Sequence, residues 1–163
     1  MTVIKLFDTV VLINILQDID FEEILIAWGE NLSYDQWTSY EVNLEVQKKA
    51  RIKLDKMIND NIIKIFNQAP QNDLKQIQGF NPKLSIADCS LIYHYTRANN
   101  AICLTNDLHL RKYFAKNNFR LSGTNGIYLK LLKEGNFPKD TIEEKFKVLK
   151  NDSRVFPQPK TNN

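Results

Sequence analysis

Short apolar segments of strand length alternate with helix-length segments along this chain of 163 residues. The predicted strands are residues 3–7, 35–38, 62–66, 101–105 and 119–121. The predicted helices are residues 9–17, 21–28, 39–59, 84–98, 108–116, 126–133 and 141–150, with a short helix at 73–78 inside a loop at 67–83. Strands that alternate with helices typically form a parallel sheet. We therefore predict a single α/β domain with a central parallel sheet and helices on both of its faces.

The size and composition of the chain agree with one soluble domain. Hydrophobic residues make up 43% of the sequence, which is enough for a core without disulfides. Cys89 and Cys103 form no CxxC pair and are expected to be core residues of a cytoplasmic protein. No signal peptide and no apolar run of membrane-spanning length is seen. Residues 1–150 are predicted to be the folded domain and residues 151–163 a loose tail.

Three aspartates lie where the predicted strands end or the predicted helices begin. Asp8 and Asp107 each follow an apolar strand, and Asp88 opens the helix at residues 84–98. Ligands of parallel α/β proteins collect at the carboxyl ends of the strands, so these acids are expected to converge there. Three converging carboxylates repel one another unless a cation joins them, and Mg²⁺ or Mn²⁺ suits oxygen ligands.

Each aspartate also has a purely structural explanation. Asp8 and Asp107 can cap the helices that follow them, because aspartate is a favoured N-cap residue. Asp88 ends a Ser-Ile-Ala-Asp sequence that has the form of a capping box. One such residue alone says little about function, whereas three at the same edge of one sheet favour a common site.

A fourth acid is expected from the helix predicted at residues 39–59. Glu41 and Glu45 are four residues apart and share one helix face. The charge is also unevenly distributed: residues 1–45 carry nine acids and one base, whereas residues 101–163 carry twelve bases and six acids. An acidic centre with a basic flank suits a metal-dependent enzyme that acts on a polyanion, although solvated helix faces explain the same pattern.

Several functional classes are excluded by missing motifs. The chain has no GxGxxG, no phosphate-binding loop and no GxSxG nucleophile elbow. His94 and His109 lack a partner at zinc-binding spacing. A phosphatase that uses Asp8 as its nucleophile remains an alternative, but the second aspartate of that motif is replaced by Val10. The Gly-Thr-Asn-Gly sequence at 123–126 is expected to begin a helix.

The motifs around the acids resemble those of PIN-domain ribonucleases, especially VapC-type toxins. Residues 7–13 (Phe-Asp-Thr-Val-Val-Leu-Ile) are similar to the family's first motif, Asp-Thr-Asn-Val-Leu. Residues 84–90 resemble the segment around its third acid, and residues 104–111 (Leu-Thr-Asn-Asp-Leu-His-Leu-Arg) its Leu-Thr-Xaa-Asp motif. Residues 122–127 and 131–135 resemble the glycine turn and the segment that follow in many members.

This resemblance implies an RNA-cleaving enzyme with Mg²⁺ or Mn²⁺ at four acids. Asp8, Asp88 and Asp107 match the family's first, third and fourth acids. Glu45 follows a serine by six residues, as the second acid does, with Glu41 the alternative. The resemblance also implies inhibition by a small antitoxin protein and a homodimeric active form.

Other residues are given expected roles beside these acids. Thr105 is expected to orient the attacking water, and Arg111 and Lys112 to hold RNA phosphates. A non-catalytic PIN-like module that binds RNA or protein is the competing interpretation.

Overall fold

Five short parallel strands form the central sheet in a computed structural model that describes residues 1–150. The strand order is β3-β2-β1-β4-β5, so the first strand of the chain is at the centre. The strands are β1 Val3–Phe7, β2 Tyr34–Thr38, β3 Lys64–Ile65, β4 Ala101–Leu104 and β5 Leu121–Ser122. The prediction of an α/β fold with a parallel sheet is confirmed.

The pairing register brings three strand ends to one edge of the sheet. Phe7, the last residue of β1, pairs with Thr38 of β2 on one side and with Leu104 of β4 on the other. The residues that follow these strands, including Asp8 and Thr105, therefore leave the sheet side by side.

Helices connect the strands and cover the sheet. They are α1 Thr9–Ile13, α2 Glu23–Glu30, α3 Tyr40–Glu45, α4 Lys48–Asn59, α5 Gln71–Phe80, α6 Ile86–Arg97, α7 Leu108–Lys116, α8 Thr124–Glu134 and α9 Lys139–Phe146. A π-helix, Asn14–Asp18, continues α1, and a 3₁₀ turn, Lys147–Leu149, follows α9.

Both faces of the sheet are covered, as predicted. On one face, Gln36 of β2 donates a hydrogen bond to the carbonyl of Leu25 in α2 over 2.8 Å. On the opposite face, Trp37 stacks on Phe66 with ring centroids 4.3 Å apart, and Phe66 stacks on His94 of α6 at 4.4 Å. Successive residues of a strand point to opposite faces, so Gln36 and Trp37 mark the two layers.

The core contains both cysteines, in agreement with the sequence. Cys89 of α6 and Cys103 of β4 are free and fully buried. Burial raises the pKa of the Cys89 thiol to about 11 and that of Cys103 well above its usual value. Both thiols are therefore protonated at neutral pH and act as small apolar residues.

The prediction of one long helix at residues 39–59 is wrong, because the helix is interrupted between α3 and α4. Val46 and Gln47 are extended, and Lys48 has a positive φ of 56°. The Arg51 guanidinium spans the break: it donates to the backbone carbonyl of Asn43 and, over 2.6 Å, to the Asn43 side-chain oxygen. This tertiary contact satisfies backbone groups at the end of α3 that a continuous helix would have paired internally.

The other element boundaries differ less. The helix predicted at 73–78 is the longer α5, and the strand predicted at 62–66 has only two paired residues. The predicted tail, 151–163, lies outside the described residues. Within the part of the chain that the structure describes, no helix is both long enough and apolar enough to cross a bilayer.

Candidate functional site

Asp8 is a buried carboxylate at the carboxyl end of the central strand. Only 4% of the residue is exposed. Its Oδ1 accepts a hydrogen bond from the backbone N–H of Thr9 (2.7 Å), and its Oδ2 accepts one from the Thr105 hydroxyl (2.6 Å). Asp8 is thus the N-cap of α1, as the structural explanation required. Capping engages only Oδ1, so it does not account for the burial of Oδ2 beside Thr105.

The pKa of Asp8 is raised from 3.8 to about 7. Burial is the largest cause, and the carboxylates of Asp88 and Asp107 add to it. The hydrogen bonds from Thr105 and Thr9 oppose the shift but do not cancel it. Because an ionised carboxylate is poorly solvated here and faces other acids, a nearby positive charge would be strongly favoured.

Asp107 is linked to Asp8 through Thr105. The Asp107 backbone N–H donates to the Thr105 hydroxyl oxygen (3.0 Å), which in turn donates to Asp8. The Asp107 carboxylate accepts from the backbone N–H of Leu110 (2.8 Å) and so caps α7. Thr105 is fully buried, and its hydroxyl connects the Asp8 carboxylate with the backbone of Asp107. Its expected role in orienting a water stays a prediction.

Asp88 belongs both to a helix cap and to the acidic cluster. Its Oδ2 accepts from the backbone N–H of Ser85 (2.9 Å), and the Ser85 hydroxyl accepts from the Asp88 N–H (3.0 Å). This confirms the predicted capping box. Burial raises the pKa of Asp88, and the charges of Asp107 and Glu45 raise it further, against the Ser85 hydrogen bonds.

The structure places Glu45 and Glu41 in different surroundings. Glu45, at the end of α3, accepts a 2.6 Å hydrogen bond from the hydroxyl of Thr9, the residue beside Asp8. Glu41 is buried, and its Oε1 accepts from the backbone N–H of Ala69 (3.3 Å). Its Oε2 has no hydrogen-bond partner within residues 1–150. Glu45 therefore joins the cluster at the strand ends, whereas Glu41 is engaged by the loop before α5.

These acids form a loose cluster. Within the described residues, no three side chains of Asp, Glu, His or Cys already lie together as the ligands of one ion would. The available donors are carboxylate oxygens, which are the ligands that Mg²⁺ and Mn²⁺ prefer. This donor set fits a hard divalent cation. The raised pKa of the buried Asp8 agrees with that, because a cation would stabilise its ionised form.

A buried polar network beside the cluster was not predicted. Asn106 donates to the side-chain oxygens of Asn14 (3.0 Å) and Thr124 (2.8 Å), and its own oxygen accepts from the Thr124 backbone N–H (2.9 Å). Asn14 is fully buried and begins the π-helix. The signal in the sequence was a single asparagine after an apolar run of four residues, in a helix predicted to be buried.

Gly123 allows the chain after β5 to approach the cluster closely. A Cβ at this position would lie 2.5 Å from the Asn106 side-chain oxygen and 3.0 Å from the Thr105 carbonyl oxygen. The helix that was predicted to begin at this turn does so, since Gly123 is the N-cap of α8. The glycine therefore lets the turn pack directly against the residues that precede Asp107.

The predicted RNA-contacting residues lie on α7, which Asp107 caps. Arg111 is exposed and donates weakly to the Thr105 carbonyl (3.4 Å). Lys112 is also exposed and lines a groove of about 340 Å³ between α7 and the chain before α6. The groove is basic and partly aromatic, with Phe80, Lys83, His109, Lys112, Tyr113 and Lys116 in its lining.

Comparison with known proteins adds no family. No protein-family model matches the chain, and no curated protein sequence matches it. The acid cluster and the sequence motifs are therefore what a functional assignment has to rest on.

Proposed function

We propose that the protein is a Mg²⁺- or Mn²⁺-dependent endoribonuclease of the PIN type, acting as the toxin of a toxin–antitoxin pair. The observation that carries the proposal is the raised pKa of Asp8, a buried carboxylate with Asp88 and Asp107 close enough to add to the shift. Strongly perturbed carboxyl groups at the carboxyl ends of parallel strands are typical of functional sites. The sequence motifs supply the choice of phosphodiester hydrolysis.

The four candidate ligands are Asp8, Glu45, Asp88 and Asp107. A bound divalent cation would supply positive charge that lowers the pKa of water and offsets the charge of a phosphate as its bond breaks. The protein's own contribution is to hold the acids in place. Thr105 connects Asp8 with Asp107, and Thr9 connects the Asp8 segment with Glu45.

The groove along α7 supports a single-stranded RNA substrate. Lys112 and its lysine neighbours can contact phosphates, and Phe80, which is 81% exposed, offers a ring on which a base can stack. Leu84 and His109 line the groove, and they lie next to the N-termini of α6 and α7. Asp88 and Asp107 take part in the N-caps of these two helices. A strand bound there would therefore extend towards the acids.

Two partners belong to the proposal through the resemblance to VapC-type toxins. A small antitoxin protein would inhibit the enzyme, and a second copy of the chain would complete the active homodimer. A cytoplasmic location is part of the same proposal.

The proposal is tested by RNA cleavage with purified protein, a panel of structured RNAs that present single-stranded loops, and Mg²⁺, Mn²⁺ or EDTA. Wild type is compared with Asp8→Asn and Asp107→Asn, and with Asp60→Asn as a control at an exposed aspartate. We expect metal-dependent cleavage that both site variants lose and the control keeps, with folding verified by circular dichroism. Equal cleavage by all four proteins would place the activity in a contaminant or elsewhere in the molecule.

A non-catalytic RNA- or protein-binding module is the second candidate, because Asp8, Asp88 and Asp107 each take part in a helix cap and so also have a structural role. Such a module would bind RNA equally well with or without divalent ions, and Asp8→Asn would leave that binding unchanged. No cleavage in any preparation, together with metal-independent RNA binding, would select this candidate.

A further inference from the structure

Lys5 is a buried cation in the middle of the central strand. Only 2% of the residue is exposed. Its ammonium lies over the rings of Trp28, 3.0 Å from the centroid, and Tyr34, at 3.9 Å. Within residues 1–150 no hydrogen bond or salt bridge of this ammonium is seen, and the acid whose charge acts on it is Glu134. The aromatic rings attract the ammonium through cation–π contacts, but they do not replace the oxygen acceptors that an ammonium usually has. Its burial therefore costs free energy.

Lys5 lines a small, partly open cavity of about 90 Å³ between the sheet, α2 and α8. Two further basic residues, Arg120 and Lys130, also line it, together with the hydroxyl-bearing Ser122. A Cβ at Gly126, another lining residue, would lie 1.9 Å from the Ser122 Oγ. The absence of a side chain at Gly126 therefore leaves room for this hydroxyl.

Positive charge exceeds negative charge around the cavity. The Lys130 ammonium lies 4.7 Å from the Tyr34 ring centroid, and Arg120 donates to the neutral side chain of Asn100. Glu134 is the acid whose charge acts on Lys5, and its Oε2 accepts a hydrogen bond from Trp28 (3.3 Å). One carboxylate thus accompanies two cationic side chains, Arg120 and Lys130, in addition to the amine of Lys5.

The pKa of Lys5 is lowered, chiefly by burial. Burial, with a smaller contribution from Lys130, lowers the pKa of Lys5 to about 6, and Glu134 opposes this shift. At neutral pH the amine is therefore mostly unprotonated in the empty cavity. An anion that entered would favour the ammonium form and draw a proton from solution.

We propose that this cavity binds a small tetrahedral oxyanion of the phosphate or sulfate type. The ligand would accept hydrogen bonds from Lys5 and Lys130, with Ser122 and Arg120 available at the wall. The pocket of about 90 Å³ has room for one small oxyanion. Charge-assisted hydrogen bonds are strong where aromatic side chains such as Trp28 and Tyr34 form part of the wall.

The test is isothermal titration calorimetry of the full chain with sodium phosphate and sodium sulfate at pH 7. Repeating it in buffers of different ionisation enthalpy counts the protons taken up. We expect one saturable site and, with sulfate, which does not itself titrate near pH 7, uptake of up to one proton per anion. Lys5→Met and Lys130→Met should weaken binding by roughly tenfold or more, the order of one charge-assisted hydrogen bond. Glu134→Gln should strengthen binding, because it removes the competing acid.

The matched control is Lys133→Met, which removes an exposed lysine of α8 that does not line the cavity. It should bind phosphate as the wild type does. Lack of saturable binding of either anion, or an unchanged affinity in Lys130→Met, would overturn the proposal. Lys130 is exposed, so this second variant is decisive even if Lys5→Met fails to fold. The assay needs neither RNA nor divalent ions, so its outcome is independent of the nuclease proposal.

Discussion

Replacing Asp8 with asparagine is expected to stabilise the metal-free protein at alkaline pH. The folded state raises the Asp8 pKa from 3.8 to about 7, so it prefers the protonated acid. Stability gained from that proton is fully present below pH 3.8 and is lost as the pH rises to about 7. Above this window the wild type has to keep an ionised Asp8 buried, whereas the variant Asp8→Asn carries no charge there.

The magnitude follows from the size of the shift. A change from 3.8 to about 7, at about 1.4 kcal/mol for each pKa unit, corresponds to about 4 kcal/mol. Asparagine has one acceptor oxygen where Asp8 accepts from both Thr9 and Thr105, and losing one hydrogen bond costs about 1 kcal/mol. The variant should therefore be more stable by about 3 kcal/mol at pH 8, and this advantage should vanish near pH 4.

Urea unfolding in EDTA, followed by circular dichroism at several values between pH 4 and pH 8, measures this difference. Asp60→Asn serves as the control, because Asp60 is exposed and its substitution should change stability little at any pH. Wild type and Asp8→Asn of equal stability at pH 8 would refute the reasoning, as would a difference that is independent of pH. Adding Mg²⁺ at pH 8 should stabilise the wild type more than the variant if the cluster binds the ion.

Three further predictions concern individual contacts. Gly123→Ala should destabilise the fold by about 1–3 kcal/mol in urea unfolding, because its Cβ would collide with Asn106. Thr9→Val should change stability by no more than about 1 kcal/mol but slow metal-dependent RNA cleavage by roughly fivefold or more, since Glu45 loses its hydrogen bond. Burial lowers the pKa of His94 from 6.5 to about 4, so its imidazole NMR signals should not shift between pH 7 and pH 5.5; an unchanged midpoint near 6.5 would contradict its burial.

The sequence predicted the elements whose signals are local. β1 at Val3–Phe7 and α7 at Leu108–Lys116 have the predicted boundaries, because an apolar strand and a capped amphipathic helix are visible in short windows. The break between α3 and α4 has no glycine or proline to announce it. It depends on Arg51, which contacts the end of α3 from the following helix, and such a tertiary contact leaves no periodic pattern.

The site shows the same division. The positions of Asp8 and Asp107 could be predicted, since any acid that follows a parallel strand lies at the same edge of the sheet. The link through Thr105 and the buried Asn14 could not, because hydrogen-bond partners are chosen by packing among residues far apart in sequence. Lys5 was visible as a base within an apolar strand, but only the packed structure shows that the residue is almost completely buried.

The two edges of the sheet limit how the protein can associate. Both edge strands, β3 and β5, contain only two paired residues. So short an edge offers a foreign strand almost no backbone to pair with, which protects the folded chain from the edge-to-edge growth that leads to aggregation. Neither edge therefore favours an assembly built by continuing the sheet from one molecule into the next, and a second copy of the chain would dock through other surfaces.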